Sequence, residues 1–189
     1  NNCKELISLH LGHNEELIDI NSLKSCSKLK FLYLNNTSFK TLEPLRELSS
    51  LEIIEISDCN SLNNLEGIEN LNLKIDNLSR LDSLKSIEHL PKLNSKLLEI
   101  SDVNISNLKG IESSNNIEEL KLQSLRSLKF IDSLSELKNL KKIEINTSPE
   151  ILDYSVLSEL VSLETCLLGD TYANLSSNEY KDKQNILPQ

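Results

Sequence analysis

Apolar residues recur along this chain on two alternating schedules. The first is a six-residue phrase, apolar at places one, four and six: "LISLHL" from Leu6, "LKFLYL" from Leu29, "LEIIEI" from Leu51, "IEELKL" from Ile117, "LKKIEI" from Leu140 and "LETCLL" from Leu163. Two further copies, "NLNLKI" from Asn70 and "SKLLEI" from Ser95, open on a polar residue. The eight starts are separated by 23, 22, 19, 25, 22, 23 and 23 residues, and the 19 and 25 together make two ordinary periods. Alternation at places four and six, as in Leu32 and Leu34 or Ile143 and Ile145, predicts a short strand with one buried face. Downstream of each strand the spacing becomes three, most plainly at Leu125, Leu128, Ile131, Leu134, Leu137 and Leu140. An α-helix cannot hold that series on one side, because residues three apart drift back by about 60° at each step. A coil that bends every few residues through 3₁₀ turns can. Each period of roughly 22 residues therefore predicts a strand, a bend and a return segment. No such coil buries its own leucines, but a stack of them does, with its strands paired in parallel on the inner side.

Composition narrows the function classes. Leucine supplies 39 of the 189 residues, while 4 Gly, 4 Pro and 7 aromatic residues leave little turn punctuation for a sandwich or barrel. No apolar run approaches the length of a membrane span, so membrane insertion is not expected. No basic-then-apolar leader stands at the amino end, and the absence of Met fits a fragment of a longer protein. The net charge of -9 is spread evenly and no dense Lys/Arg run is present, so nucleic acid is not an expected partner.

The phrases, together with "LEPLRELSSLEIIEI", "LEGIENL" and "LKGIESSNNIEELKL", resemble leucine-rich repeat proteins over about residues 3 to 172. The repeat length is similar to that of the SDS22-like subclass, found in bacterial internalin-type proteins and intracellular phosphatase regulators. The resemblance implies an α/β fold: a right-handed solenoid with a parallel sheet on its concave face and 3₁₀ or short helical turns on its convex face. Residues 1–172 would form this domain of about eight repeats, and the polar stretch 173–189 a tail or linker. Cys3 and Cys26, three residues before consecutive starts, and Cys59 are also similar to a cysteine-containing subclass. Family members carry Asn at the ninth place, whose amide bonds the backbone at the bend. Here the series reads Asn14, Thr37, Cys59, Leu78, Val103, Leu125, Ser148 and Thr171, so coils four to six are expected to be irregular at the bend.

No nucleophile elbow, phosphate-cradling loop or acid and base pair is present, so catalysis is not expected. No cofactor is expected either. Cys3, His10 and His13 match no zinc spacing, and Cys3 and Cys26 read as stacked thiols on adjacent coils that a disulfide could also join. The informative surface is the inner, concave face of the sheet, where places three and five point away from the core: Ser8 and His10, Phe31 and Tyr33, Ile53 and Glu55, Asn72 and Lys74, Leu97 and Glu99, Glu119 and Lys121, Lys142 and Glu144, Thr165 and Leu167. His10, Phe31, Tyr33 and Ile53 cluster as candidate anchors for a protein partner, or alternatively as cover for an exposed amino-terminal core. Glu55, Lys74, Glu99, Glu119 and Lys121 would set orientation, although the later charges also read as cross-strand pairs that neutralise one another. The expected protein is a monomeric recognition module, secreted or surface-borne if internalin-like. A cytoplasmic scaffold or phosphatase-regulator-like subunit, or the substrate-selecting segment of a larger enzyme, is the other reading.

Overall fold

Where the phrase repeats, a strand forms. The structure, a computed structural model, describes residues 3–169, so the expected tail and Thr171 lie outside the described residues. The strands are β1 (Ser8–His10), β2 (Phe31–Tyr33), β3 (Ile53–Glu55), β4 (Asn72–Leu73), β5 (Asn77–Leu81), β6 (Lys92–Leu93), β7 (Leu97–Val103), β8 (Glu119–Gln123), β9 (Lys142–Asn146) and β10 (Thr165–Leu168). Every pairing is parallel, β1-β2-β3 in one sheet, β5-β7-β8-β9-β10 in another, and β4 with β6 apart from both. Return segments carry 3₁₀ turns at Asn21–Ser25, Glu43–Leu45, Ile111–Ser113, Asp132–Glu136 and Ser155–Glu159, which keep apolar residues three apart on the inner side. The architecture is a leucine-rich repeat solenoid.

Its core is one continuous column of apolar side chains from Ile20 to Leu160, nearly all of them leucine or isoleucine. Each fully buried Leu or Ile contributes about 1.5–3 kcal/mol, and its neighbours are the equivalent residues of adjoining coils, as Leu32 lies between Leu9 and Ile54. Leu6, Leu9 and Leu11 at one end, and Leu163, Cys166 and Leu168 at the other, are only partly buried because a coil covers them on one side alone.

The bend is regular where irregularity was expected. One residue per coil turns left-handed: His13, Asn36, Asp58, Arg80, Asp102, Ser124 and Thr147, with φ between 50° and 62°. The amides of four of them donate to the seventh-place carbonyl of the next coil: His13 to Asn35 (2.8 Å), Asn36 to Ser57 (3.0 Å), Asp58 to Ser79 (3.0 Å) and Ser124 to Asn146 (3.0 Å). Coils four to six thus keep the same left-handed bend without the Asn ladder, closed by a backbone bond at Ser124 in coil six. Elsewhere ninth-place side chains help: Asn14 Nδ2 donates to Leu11 O (2.6 Å), Thr37 Oγ1 to Leu34 O (2.6 Å) and Cys59 Sγ to Leu34 O (3.2 Å).

The irregularity lies on the opposite limb. The longest return segments take five steps of three, as from Leu125 to Leu140, coil three takes four (Cys59, Leu62, Leu65, Ile68, Leu71), and coil four is the shortest with three (Leu81, Leu84, Ile87, Leu90). The residues saved there lengthen the limb leading into the next strand, where β4 and β6 pair and the buried Ser95 hydroxyl bonds the amide (3.1 Å) and carbonyl (2.9 Å) of Ile75. This corrects the expected fourth strand. Its start is not Asn70: Lys74 bridges Ile53, Asn77 pairs Glu99, and the two registers differ by one residue, so Asp76 is a bulge. The ninth-place residue of that coil is Leu81, not Leu78.

Glycine matters at Gly67 (φ 107°) and Gly110 (φ 104°), where return segments touch. A Cβ would lie 2.5 Å from Leu42 O at the first and 2.1 Å from Ile87 O at the second. In each "G-I-E" the glutamate accepts the glycine amide, Glu69 at 2.6 Å and Glu112 at 2.8 Å.

Candidate binding face

Strand alternation turns two rows of side chains away from the core. One runs Ser8, Phe31, Ile53, Lys74, then Leu97, Glu119, Lys142 and Thr165; the other runs His10, Tyr33, Glu55, then Asn77, Glu99, Lys121, Glu144 and Leu167. All nine candidate residues stand on this face. Asn72 does not belong to it, because it pairs with Lys92 in the small separate sheet, and Asn77 takes a place in the rows that sequence reasoning missed. The extra residue at Asp76 hides in the polar pair "DN" and shifts Lys74 from the second row to the first.

The candidate anchors are brought together. His10 and Tyr33 oppose one another in register, and their rings stack with centroids 4.1 Å apart and planes 8° from parallel. Phe31 and Ile53 are register partners in the neighbouring row, both half-buried. Beside them Tyr33, Asn35, Ile53, Glu55, Lys74 and Asn77 border a depression of about 350 Å³. Its charges are held in place: Asn35 Nδ2 donates to Glu55 (2.8 Å), Asn35 Oδ1 accepts from the Ser57 amide (2.9 Å), and Lys74 pairs with Asp76 (2.9 Å). The Asp76 carboxylate raises the Lys74 ammonium above its ordinary pKa.

Asn35 belongs to a third row at the seventh place, Gly12, Asn35, Ser57, Ser79, Ser101, Gln123, Asn146 and Gly169, in which Ser79 and Ser101 are buried. Each of its members is glycine, serine or a side-chain amide, and that was the signal available for it.

Later coils differ in kind. Glu119 binds Lys142 across the strands (2.6 Å) and lies 3.9 Å from Lys121 on its own strand, so one of the expected cross-strand pairs is present, while Glu144 accepts from Asn146 (2.8 Å). The Lys142 ammonium holds the Glu119 carboxyl below the usual range. Behind this row Glu118 lies 2.7 Å from both Lys141 and Lys96, which lower its pKa to about 2.

The cysteines are free thiols, Cys3 exposed and Cys26 and Cys59 buried. Burial raises the pKa of Cys26 and Cys59 and pushes Cys166 up to about 11, so these thiols stay protonated and unreactive near neutrality. Among the described residues no group of three His, Cys, Asp or Glu is placed to hold a metal ion, and no helix is long and apolar enough to cross a membrane.

A stack of strand, bend and 3₁₀ return with aromatic residues on its open sheet defines the class as leucine-rich repeat solenoids. Comparison with solved structures agrees. Internalin C2 of Listeria monocytogenes is similar at 23% identity and TM-score 0.56, over 87% of this chain and 72% of that one. An internalin F of the same organism is similar at 21% identity and TM-score 0.49, over 87% of this chain and 54% of that one. A leucine-rich repeat protein of Leptospira interrogans is similar at 18% identity and TM-score 0.40, over 98% of this chain and 59% of that one. At these identities the likeness to internalin C2 concerns the fold alone. No family model and no curated protein sequence matches the chain.

Proposed function

We propose that this solenoid is a non-catalytic recognition module that binds a protein partner on its concave sheet, in the manner of internalin-like proteins. His10, Phe31, Tyr33 and Ile53 are the anchors, while Glu55, Lys74, Glu99, Glu119 and Lys121 orient the partner. The observation that carries this reading is the ring stack of His10 on Tyr33 beside Phe31 and Ile53, preformed on a backbone fixed by neighbouring coils. Anchors fixed in advance lose little side-chain freedom on association, and partly exposed aromatic residues carry a large share of the energy in protein interfaces. The charged rows contribute less, because their members already satisfy one another.

The test is affinity capture from lysate followed by titration of the identified protein. The double variant Phe31→Ala, Tyr33→Ala should weaken that affinity by roughly 30-fold or more, whereas Lys138→Glu on the return side should leave it unchanged. The opposite pattern, with circular dichroism showing both variants folded, overturns the proposal.

A further inference from the structure

Coils six and seven carry an apolar patch that the solenoid does not need. Phe130 and Leu152 are 60% and 73% exposed, and they border one depression of about 390 Å³ on the return segments. The register shows what the fold demands there. Phe130 bridges Asn107 one coil earlier, and the 23-residue step relating Glu119 to Lys142 carries Phe130 to Asp153 and Lys129 to Leu152. Polar residues therefore serve the same two positions in adjoining coils. The core at this level is supplied by Leu128, Ile131, Ile151 and Tyr154 instead. Single exposed apolar side chains are ordinary on a protein surface, but two that adjoin and share a hollow mark an interaction site.

The rim has a sign. Asp132, Glu150 and Asp153 border the hollow against one cation, Lys129, which lies 3.8 Å from Glu150. The backbone beneath is fixed, since the Lys129 and Phe130 amides both donate to Ser106 O (3.0 and 3.2 Å). Asp153 Oδ1 accepts the Ser155 amide at 2.8 Å, which sets the direction of that carboxylate.

We propose that this hollow docks a peptide segment of a second protein, one that presents an aliphatic or aromatic side chain flanked by lysine or arginine. The apolar side chain enters between Phe130 and Leu152 while the flanking cations meet the three carboxylates. An acidic segment is disfavoured by the same rim. The site lies on the return limb, and nothing in it depends on the reading of the concave face.

Two synthetic probes test it: an acetylated, amidated pentapeptide with leucine between two pairs of lysines, and its counterpart with glutamates. Titrated into ¹⁵N-labelled protein, the lysine peptide should shift amides at 129–132 and 150–153 while leaving β1 to β3 still, and the glutamate peptide should not. Phe130→Ser and Leu152→Ser should each weaken binding by about tenfold, with melting unchanged because both side chains are exposed. Added salt and Asp132→Asn should weaken it too. Equal response to both peptides, no response, or shifts indifferent to the two serine variants would overturn the proposal. Sedimentation supplies the other decisive outcome: self-association abolished by Phe130→Ser would assign the hollow to a second copy of this chain.

Discussion

Among the described residues seven carry the geometry of the bends, and they are not equally suited to it. A left-handed backbone costs an L residue about 1–2 kcal/mol, least for Asn and Asp and most for a β-branched side chain. Asn36, Asp58 and Asp102 fit, whereas Thr147 at φ 51° does not. Thr147→Asn is expected to stabilise the protein by about 0.5–1 kcal/mol, seen as a higher urea midpoint with an unchanged slope. A lower midpoint would show that the threonine is held there by something its conformation does not reveal. Sequence reasoning did not single these residues out, since none is glycine and Arg80 or Ser124 gives no turn signal. The expectation that an apolar ninth place would disturb the bend failed for a related reason. The bend is made by the backbone turn at the eighth residue, where the leucine-rich repeat pattern that the sequence resembles uses a side-chain amide.

Among elements, charge pairing between coils is the feature most sensitive to solvent. Lys141 first and Lys96 second lower the Glu118 carboxyl from an ordinary value near 4.5 to about 2. In that window the unfolded chain binds a proton that the folded one refuses. The contribution is thus whole above about 4.5 and is lost as the pH falls toward 2. Glu118→Gln should therefore show a smaller drop in urea midpoint between about pH 7 and pH 2.5 than the parent protein, by a modest margin because the pair is solvent-exposed. Identical drops would mean that the pair adds nothing measurable.

The strands themselves were largely legible, because period-two alternation survives even where the first phrase residue is polar. The fourth strand was not. From Leu71 through Leu73 to Ile75 the alternation runs on without interruption, so several starts fit equally well, and the bulge at Asp76 leaves no apolar mark. For the same reason seven of the eight outward pairs on the concave face were placed correctly and the eighth was misread. The flank patch escaped because a phenylalanine next to Ile131 reads as one more core residue until the return segment's direction is known.

At the scale of the whole molecule the stack is a chain of neighbour contacts, and one of those contacts is weaker than the rest. Between β3 and β5 the sheet is interrupted: the Ile53–Lys74 bridge, with Lys74 N to Glu52 O at 2.8 Å and Ile54 N to Lys74 O at a long 3.4 Å, and the Asp58–Ser79 bond at the bend (3.0 Å) are its backbone links, joined by the Arg80–Asp58 ion pair. Repeat stability is a sum of coil and interface terms, so the two blocks should open separately. Native-state hydrogen exchange should find Leu34 and Asn36 opening together, and Leu122 and Ile145 in a different group, the two groups differing by at least about 1 kcal/mol. One shared opening energy throughout would show the bulge to be mechanically silent.

The bulge also sorts the molecule by load path. A solenoid held at one end and tugged by whatever grips the other yields where its rungs are fewest. The aromatic anchors all stand on the amino-terminal side of that rung, and the acidic hollow stands on the far side of it. Tension applied through one partner would then be relieved by tilt at Asp76 before it reached the other, so the chain would behave as two rigid beams joined by a single compliant splice.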